Sequence, residues 1–151
     1  KTAYEISLGL VGSEMCIRDR FWKEMNKNII RAVACAPAGP MVLNTVMFVI
    51  NPSKATGDLG MELLDGVGRS TQLGDFGAFF GLASFLILFG SIKMKFEYLN
   101  IAALLLGSAA FFRIIAWALN DAAFATSLII AELALVLWLV ISAKYIKKLA
   151  S

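Results

Sequence analysis

Apolar residues fall along the chain in four long blocks, about Ile29 to Ile50, Phe76 to Ile92, Leu99 to Leu119 and Thr126 to Tyr145. Each is near the roughly 20 residues that carry a helix across a bilayer core. Polar residues collect in the gaps between them, Asn51 to Asp75, Lys93 to Tyr98 and Asn120 to Ala125. Two short gaps force the helices on either side to be antiparallel neighbours. The pattern therefore predicts an all-α fold, an integral membrane four-helix up-and-down bundle forming a single domain over residues 21–151.

The first block is the least regular, because Pro37 and Pro40 interrupt it and Arg31 and Asn44 lie inside it. Proline in a spanning helix is tolerated where neighbours satisfy the freed carbonyls, so a kinked helix is expected, with a cleaved signal peptide as the alternative. In the long gap, "GDLGMELLDG" offers Asp58 as a cap, Leu59 and Leu63 at helical spacing and Gly66 as a stop. That predicts a short helix lying on the membrane interface.

Composition reinforces the membrane reading. Hydrophobic residues make up 59% of the chain, charged residues 17%, and the mean hydropathy is +0.75, which points to the lipid bilayer as the principal partner. The net charge of +3 sits at helix ends rather than on a polar face, so no nucleic-acid partner is expected. Lys23, Lys27 and Arg31 precede the first helix, Lys93 and Lys95 separate the second and third, and Lys144, Lys147 and Lys148 end the chain. The other side carries Lys54 and Arg69 against Asp58, Glu62, Asp65, Asp75 and Asp121. By the positive-inside rule both termini are expected to be cytoplasmic; the membrane itself is expected to be a bacterial inner membrane or its equivalent. No histidine is present and only two cysteines, which leaves a metal or haem site almost no ligands. No cofactor is expected.

The N-terminal stretch "LVGSEMCIRDR", Leu10 to Arg20, fits neither a helical nor a strand period, and its charges come last where a signal peptide has them first. Spelled as codons, Leu10 to Asp19 can be written CTC GTG GGC TCG GAG ATG TGT ATA AGA GAC, which resembles one frame of a transposon-based sequencing adapter. Lys1 to Ile6 can be written AAG ACG GCA TAC GAG AT, which resembles the flow-cell primer that precedes that adapter. Residues 1–20 are accordingly expected to be translated library adapter, and Met25 the native start.

Charged residues inside the helices are the candidates for function. Arg113 and Glu132 each lie about six residues from the same end of adjacent predicted helices, hence roughly 9 Å deep. A lone charge at the bilayer centre costs about 2.5 to 3.5 kcal/mol on insertion scales, so the two are expected to pair. Asn44 sits at a similar depth, and Arg69 and Asp75 lie at the mouth of the second helix. Together the five form a candidate polar cluster in the outer half. The pair either fixes helix register or marks a ligand or proton site. Gly77 and Gly81 form G-x-x-x-G, and Ser84 extends their small face, which suits close helix packing, within the chain or with a homo-oligomer or another membrane protein. The match of Asp75-Phe76-Gly77 to the metal-binding tripeptide of kinases lacks every accompanying motif.

The runs "GRSTQLGDFGAFFGLASFLILFG", "LNIAALLLGSAAFFRIIAWALNDA" and "AELALVLW" resemble the small bacterial four-helix membrane proteins of the domain of unknown function 4345 family, over about Ile29 to Ile141. The resemblance implies a membrane bundle, marks Asp75, Arg113 and Glu132 as family-pattern positions, and implies no activity. Three functions follow as expectations. A non-catalytic membrane component comes first. A small proton-coupled carrier using Glu132 and Arg113 is second, and a membrane enzyme subunit resembling DoxX-like bundles is third; an enzyme is the least favoured because no nucleophile-base set is recognisable.

Overall fold

The structure, a computed structural model, describes residues 27–150; the expected adapter at residues 1–20 and the expected start at Met25 lie outside the described residues. The described chain is helical throughout its long elements and contains no strand. Residues 27–35 form α1, a turn occupies 36–37, and α2 (Ala38–Ile50) continues in the same span. There follow α3 (Pro52–Asp58), α4 (Gly66–Ile92), α5 (Phe96–Leu119) and α6 (Thr126–Ala150). The α1/α2 span and α4, α5 and α6 are each long and apolar enough to cross a membrane. The expected four spans are therefore present, in an all-α bundle.

The prolines break the first span for one turn, and each freed carbonyl finds a donor. Pro37 has no N–H to give Val33, four residues back, and the Val33 carbonyl instead accepts the Trp138 indole N–H at 3.0 Å, beside a longer bond from the Ala36 N–H at 3.4 Å. Pro40 likewise leaves the Ala36 carbonyl free, and the Gly39 N–H takes it at 3.2 Å. The interrupted helix is thus tied to α6 at the place where its own ladder fails.

The short helix of the long connection lies before, not after, Asp58. Asn51 accepts the Lys54 N–H at 3.2 Å as an N-cap, Pro52 occupies the first helical position, and Lys54 pairs with Asp58 at 2.8 Å across one turn. These three signals outweigh the Leu59/Leu63 spacing, and Gly60, at φ +75°, carries the chain away. The segment from 59 to 65 is held by the buried Gln72, whose amide donates to the Glu62 carbonyl at 3.0 Å and accepts the Leu64 N–H at 3.1 Å.

α4 starts ten residues before the expected Phe76, at Gly66, whose φ of +57° allows the sharp exit from the loop. The apolar block marks only the part of this helix inside the bundle. Its polar first turns form a helix without needing apolar side chains, with Arg69 paired to Asp65 at 2.6 Å. α6 likewise runs past Tyr145 through the lysines to Ala150.

α2 packs on α4, α4 on α5 and α5 on α6, with no comparable packing of α6 on α2. Phe48 stacks on Phe76 and Phe80 at 5.6 and 5.9 Å in the first of these seams. At the α4–α5 turn Phe89 meets Tyr98 edge-on at 4.8 Å. Lys147 lies over the Phe96 ring at 5.3 Å, which sets the end of α6 beside the start of α5 as antiparallel packing requires. Ile87, Leu99, Leu106, Leu139 and Ile146 are fully buried between the helices, while Val49, Leu104, Phe112 and Leu137 face outward. A bundle apolar on its outside as well as its inside suits lipid, and the protein is an integral membrane protein.

Candidate intramembrane polar site

Asn44, Arg113 and Glu132 each lie six residues from the end of their helix nearest the α3 connection, about 9 Å along the axis. The bundle brings all three to one cavity of about 470 Å³. Its apolar walls come from every helix of the bundle core: Met41 on α2, Phe79 and Phe80 on α4, Leu106 on α5 and Leu135 on α6, with Leu59 from the loop. Along α6 the lining extends from Leu128 to Trp138, a slot about 15 Å long. The site lies between α2 and α6, the seam without close packing, with exposed Pro40, Ala131, Ala134 and Trp138 among its lining residues.

Arg113 and Glu132 form the expected pair, Nε donating to Oε1 at 3.0 Å. The Glu132 side chain is 12% exposed and that of Arg113 30%. Contact through Nε is the single-bond arrangement rather than the two-bond fork. Among the described residues Arg113 makes no other hydrogen bond, and neither terminal amino group is sealed from the surroundings. Glu132 Oε2 is the opposite case, buried and without a donor among the described residues. The Asn44 amide is half-buried and also makes no hydrogen bond to the described chain. The site thus offers guanidinium and amide donors beside a charge that is already balanced.

The other two members of the expected cluster stand apart. Arg69 is held by Asp65 and by the Leu64 carbonyl at 2.8 Å, and Asp75 is exposed; neither lines the cavity. Their place is the polar start of α4, which the apolar pattern did not reveal as helix. The small-residue face divides as well. Gly81 faces α2, where a side-chain carbon would lie 3.7 Å from Thr45 Cγ2, and Ser84, buried, donates to the Gly81 carbonyl at 2.8 Å. Gly77 meets nothing within 4 Å. The glycine that packing requires is Gly90, where an added carbon would sit 3.0 Å from Tyr98 Cβ and 3.1 Å from the Lys95 carbonyl.

Sequence reasoning passed over Trp138, which both bonds the Val33 carbonyl and lines the cavity. A tryptophan in the middle of an apolar helix, opposite a segment with two prolines, was the available signal: its N–H needs an acceptor and each proline frees one. Among the described residues no group of three or more His, Cys, Asp or Glu could hold a metal ion. Compared with family models, curated proteins and solved structures, the chain matches none.

Proposed function

We propose that this protein is a non-catalytic component of a bacterial inner membrane, with both termini in the cytoplasm, that receives a small molecule in the Asn44–Arg113–Glu132 cavity in the outer half of the bilayer. The observation that carries this reading is a cavity of about 470 Å³, within the roughly 300 to 1,000 Å³ of small-molecule sites, that holds the only charged pair joining two of the spanning helices among the described residues. A pair serving register alone needs no adjoining space. The orientation rests on the lysines that gather at one end, at the α4–α5 turn and the end of α6, against Asp58, Glu62, Asp65, Asp75 and Asp121 at the other. Membership of the domain of unknown function 4345 family fits this arrangement and belongs to the same proposal.

Native mass spectrometry of the protein extracted from its membrane tests the site. A bound species of constant mass is expected on the wild type and lost in Ala131→Phe, which adds bulk at an exposed lining position and keeps both members of the ion pair. Its absence from the wild type, or its persistence in the variant, counts against the reading. The proton-coupled carrier is the second reading, favoured by an ionisable side chain inside a spanning helix whose Oε2 is buried without a donor among the described residues. There, Glu132→Gln is expected to fold and to abolish a pH-dependent flux in proteoliposomes.

A further inference from the structure

We infer that the ligand of the cavity is an uncharged, single-chain amphiphile bearing a hydrogen-bond-accepting oxygen such as an ester carbonyl, and that it enters sideways from the bilayer between α2 and α6. This rests on the cavity being a ligand site, as proposed above, and adds the class of ligand and its route.

The polarity of the site sets the class. Arg113 uses only Nε on Glu132, so its two terminal amino groups and the Asn44 amide remain as donors without partners among the described residues. The acceptor side is closed, because Glu132 Oε1 is taken by Arg113 and Oε2 is buried away from the open space. A ligand oxygen that accepts is therefore matched, and a ligand group that only donates has just the Asn44 carbonyl to meet. Charge decides the rest. Arg113 and Glu132 already balance, so an anion or a cation would bring an unpaired charge into a low-dielectric slot, whereas a neutral dipole would not. Most of the lining, from Leu59 through Phe79, Phe80, Leu106 and Leu135, is apolar and suits a hydrocarbon chain along the slot.

The route follows from the packing. Gln72 pins the loop that carries Leu59 over the α3 end of the cavity, while α2 and α6 lack close contact along the slot, and the Trp138–Val33 bond ties α6 to α1 at its far end. The open side of the slot is thus the side that faces lipid.

Equilibrium binding to the full chain in phosphatidylcholine nanodiscs tests this, with protein-free nanodiscs correcting for partition. The probes are methyl decanoate, decane, decanoate and decyltrimethylammonium. Methyl decanoate is expected to bind saturably and decane only to partition. Arg113→Lys keeps the charge but loses the planar fork, and it is expected to weaken ester binding about tenfold or more. Asn44→Leu removes no bond within the described chain, so it keeps the test independent of folding, and it is expected to weaken the ester several-fold. Saturable decane binding equal to the ester, or ester binding indifferent to both variants, overturns the inference. Tighter binding of either ion overturns the ligand class and leaves the site standing. Failure of all four probes overturns the inference, and the site falls with it only if the native protein also carries no bound species.

Discussion

The two long seams on either side of the bundle are built in opposite ways. Where α4 turns into α5, Gly90 lets backbone and side chain close to a distance at which an added methyl group would push its neighbours aside, and Phe89, Tyr98 and Leu99 pack around it. Between α2 and α6 there is a slot, lined by the Arg113–Glu132 pair that joins α5 to α6, and the bond from Trp138 to the Val33 carbonyl ties α6 to α1 beyond it. Dense packing uses small residues and aromatic rings to remove space; the other seam keeps space and lines part of it with donors. In a membrane, where lipid is as apolar as the helix faces, only such packing and polar bonds hold helices together. The first seam is closed at the α4–α5 turn, and the second holds the cavity proposed above as a ligand site.

The largest effect is expected at the ion pair. Arg113→Leu leaves the buried Glu132 carboxyl without its partner, a loss of about 3 kcal/mol in unfolding from detergent, and Arg113→Leu with Glu132→Leu together should recover most of it. Equal losses in the single and double variants would show that the pair does not couple these helices. Next comes the closed seam: Gly90→Ala is expected to lower stability by about 1 to 3 kcal/mol by overpacking against Tyr98 and the Lys95 carbonyl. An unchanged unfolding midpoint would mean that the turn is not close-packed.

The Trp138 bond beyond the slot should be weaker. Trp138→Phe removes one neutral hydrogen bond, about 1 kcal/mol, and Pro37→Ala, which restores the helix's own donor to Val33, should make that loss smaller. Additive effects in the double variant would break the connection between the proline and the tryptophan. The smallest effects belong to Gly77 and Gly81. Gly77→Ala meets open space and, with alanine the better helix former, should be neutral or stabilise by up to about 1 kcal/mol, while Gly81→Ala should change little because its contact with Thr45 is ordinary.

The legible parts of this molecule were those governed by bulk hydrophobicity. Four apolar blocks gave four spans, and equal distances from the helix ends put Arg113, Glu132 and Asn44 at one level, which the structure turns into one cavity. Boundaries failed where the helix is polar: Gly66 to Asp75 carries no apolar run, so the true start of α4 was invisible and Arg69 and Asp75 were assigned to a cluster they do not join. Local capping decided the loop, since Asn51 and Pro52 start a helix before Asp58 while leucine spacing suggested one after it. Contacts between distant segments, Trp138 with Val33 and Gln72 with the loop, depend on three-dimensional placement and have no period to betray them. For the same reason the G-x-x-x-G pattern identified a small face but not which of its glycines meets a neighbour.

The most direct test of the central claim, that Arg113 serves a site and not only a staple, is native mass spectrometry of Arg113→Lys alongside its unfolding midpoint. Lysine can still pair with Glu132 but offers a point charge in place of the fork. The expected result is a protein folded nearly as well as the wild type that has lost its bound species. A variant that keeps the bound species, or that unfolds as readily as Arg113→Leu, would contradict it.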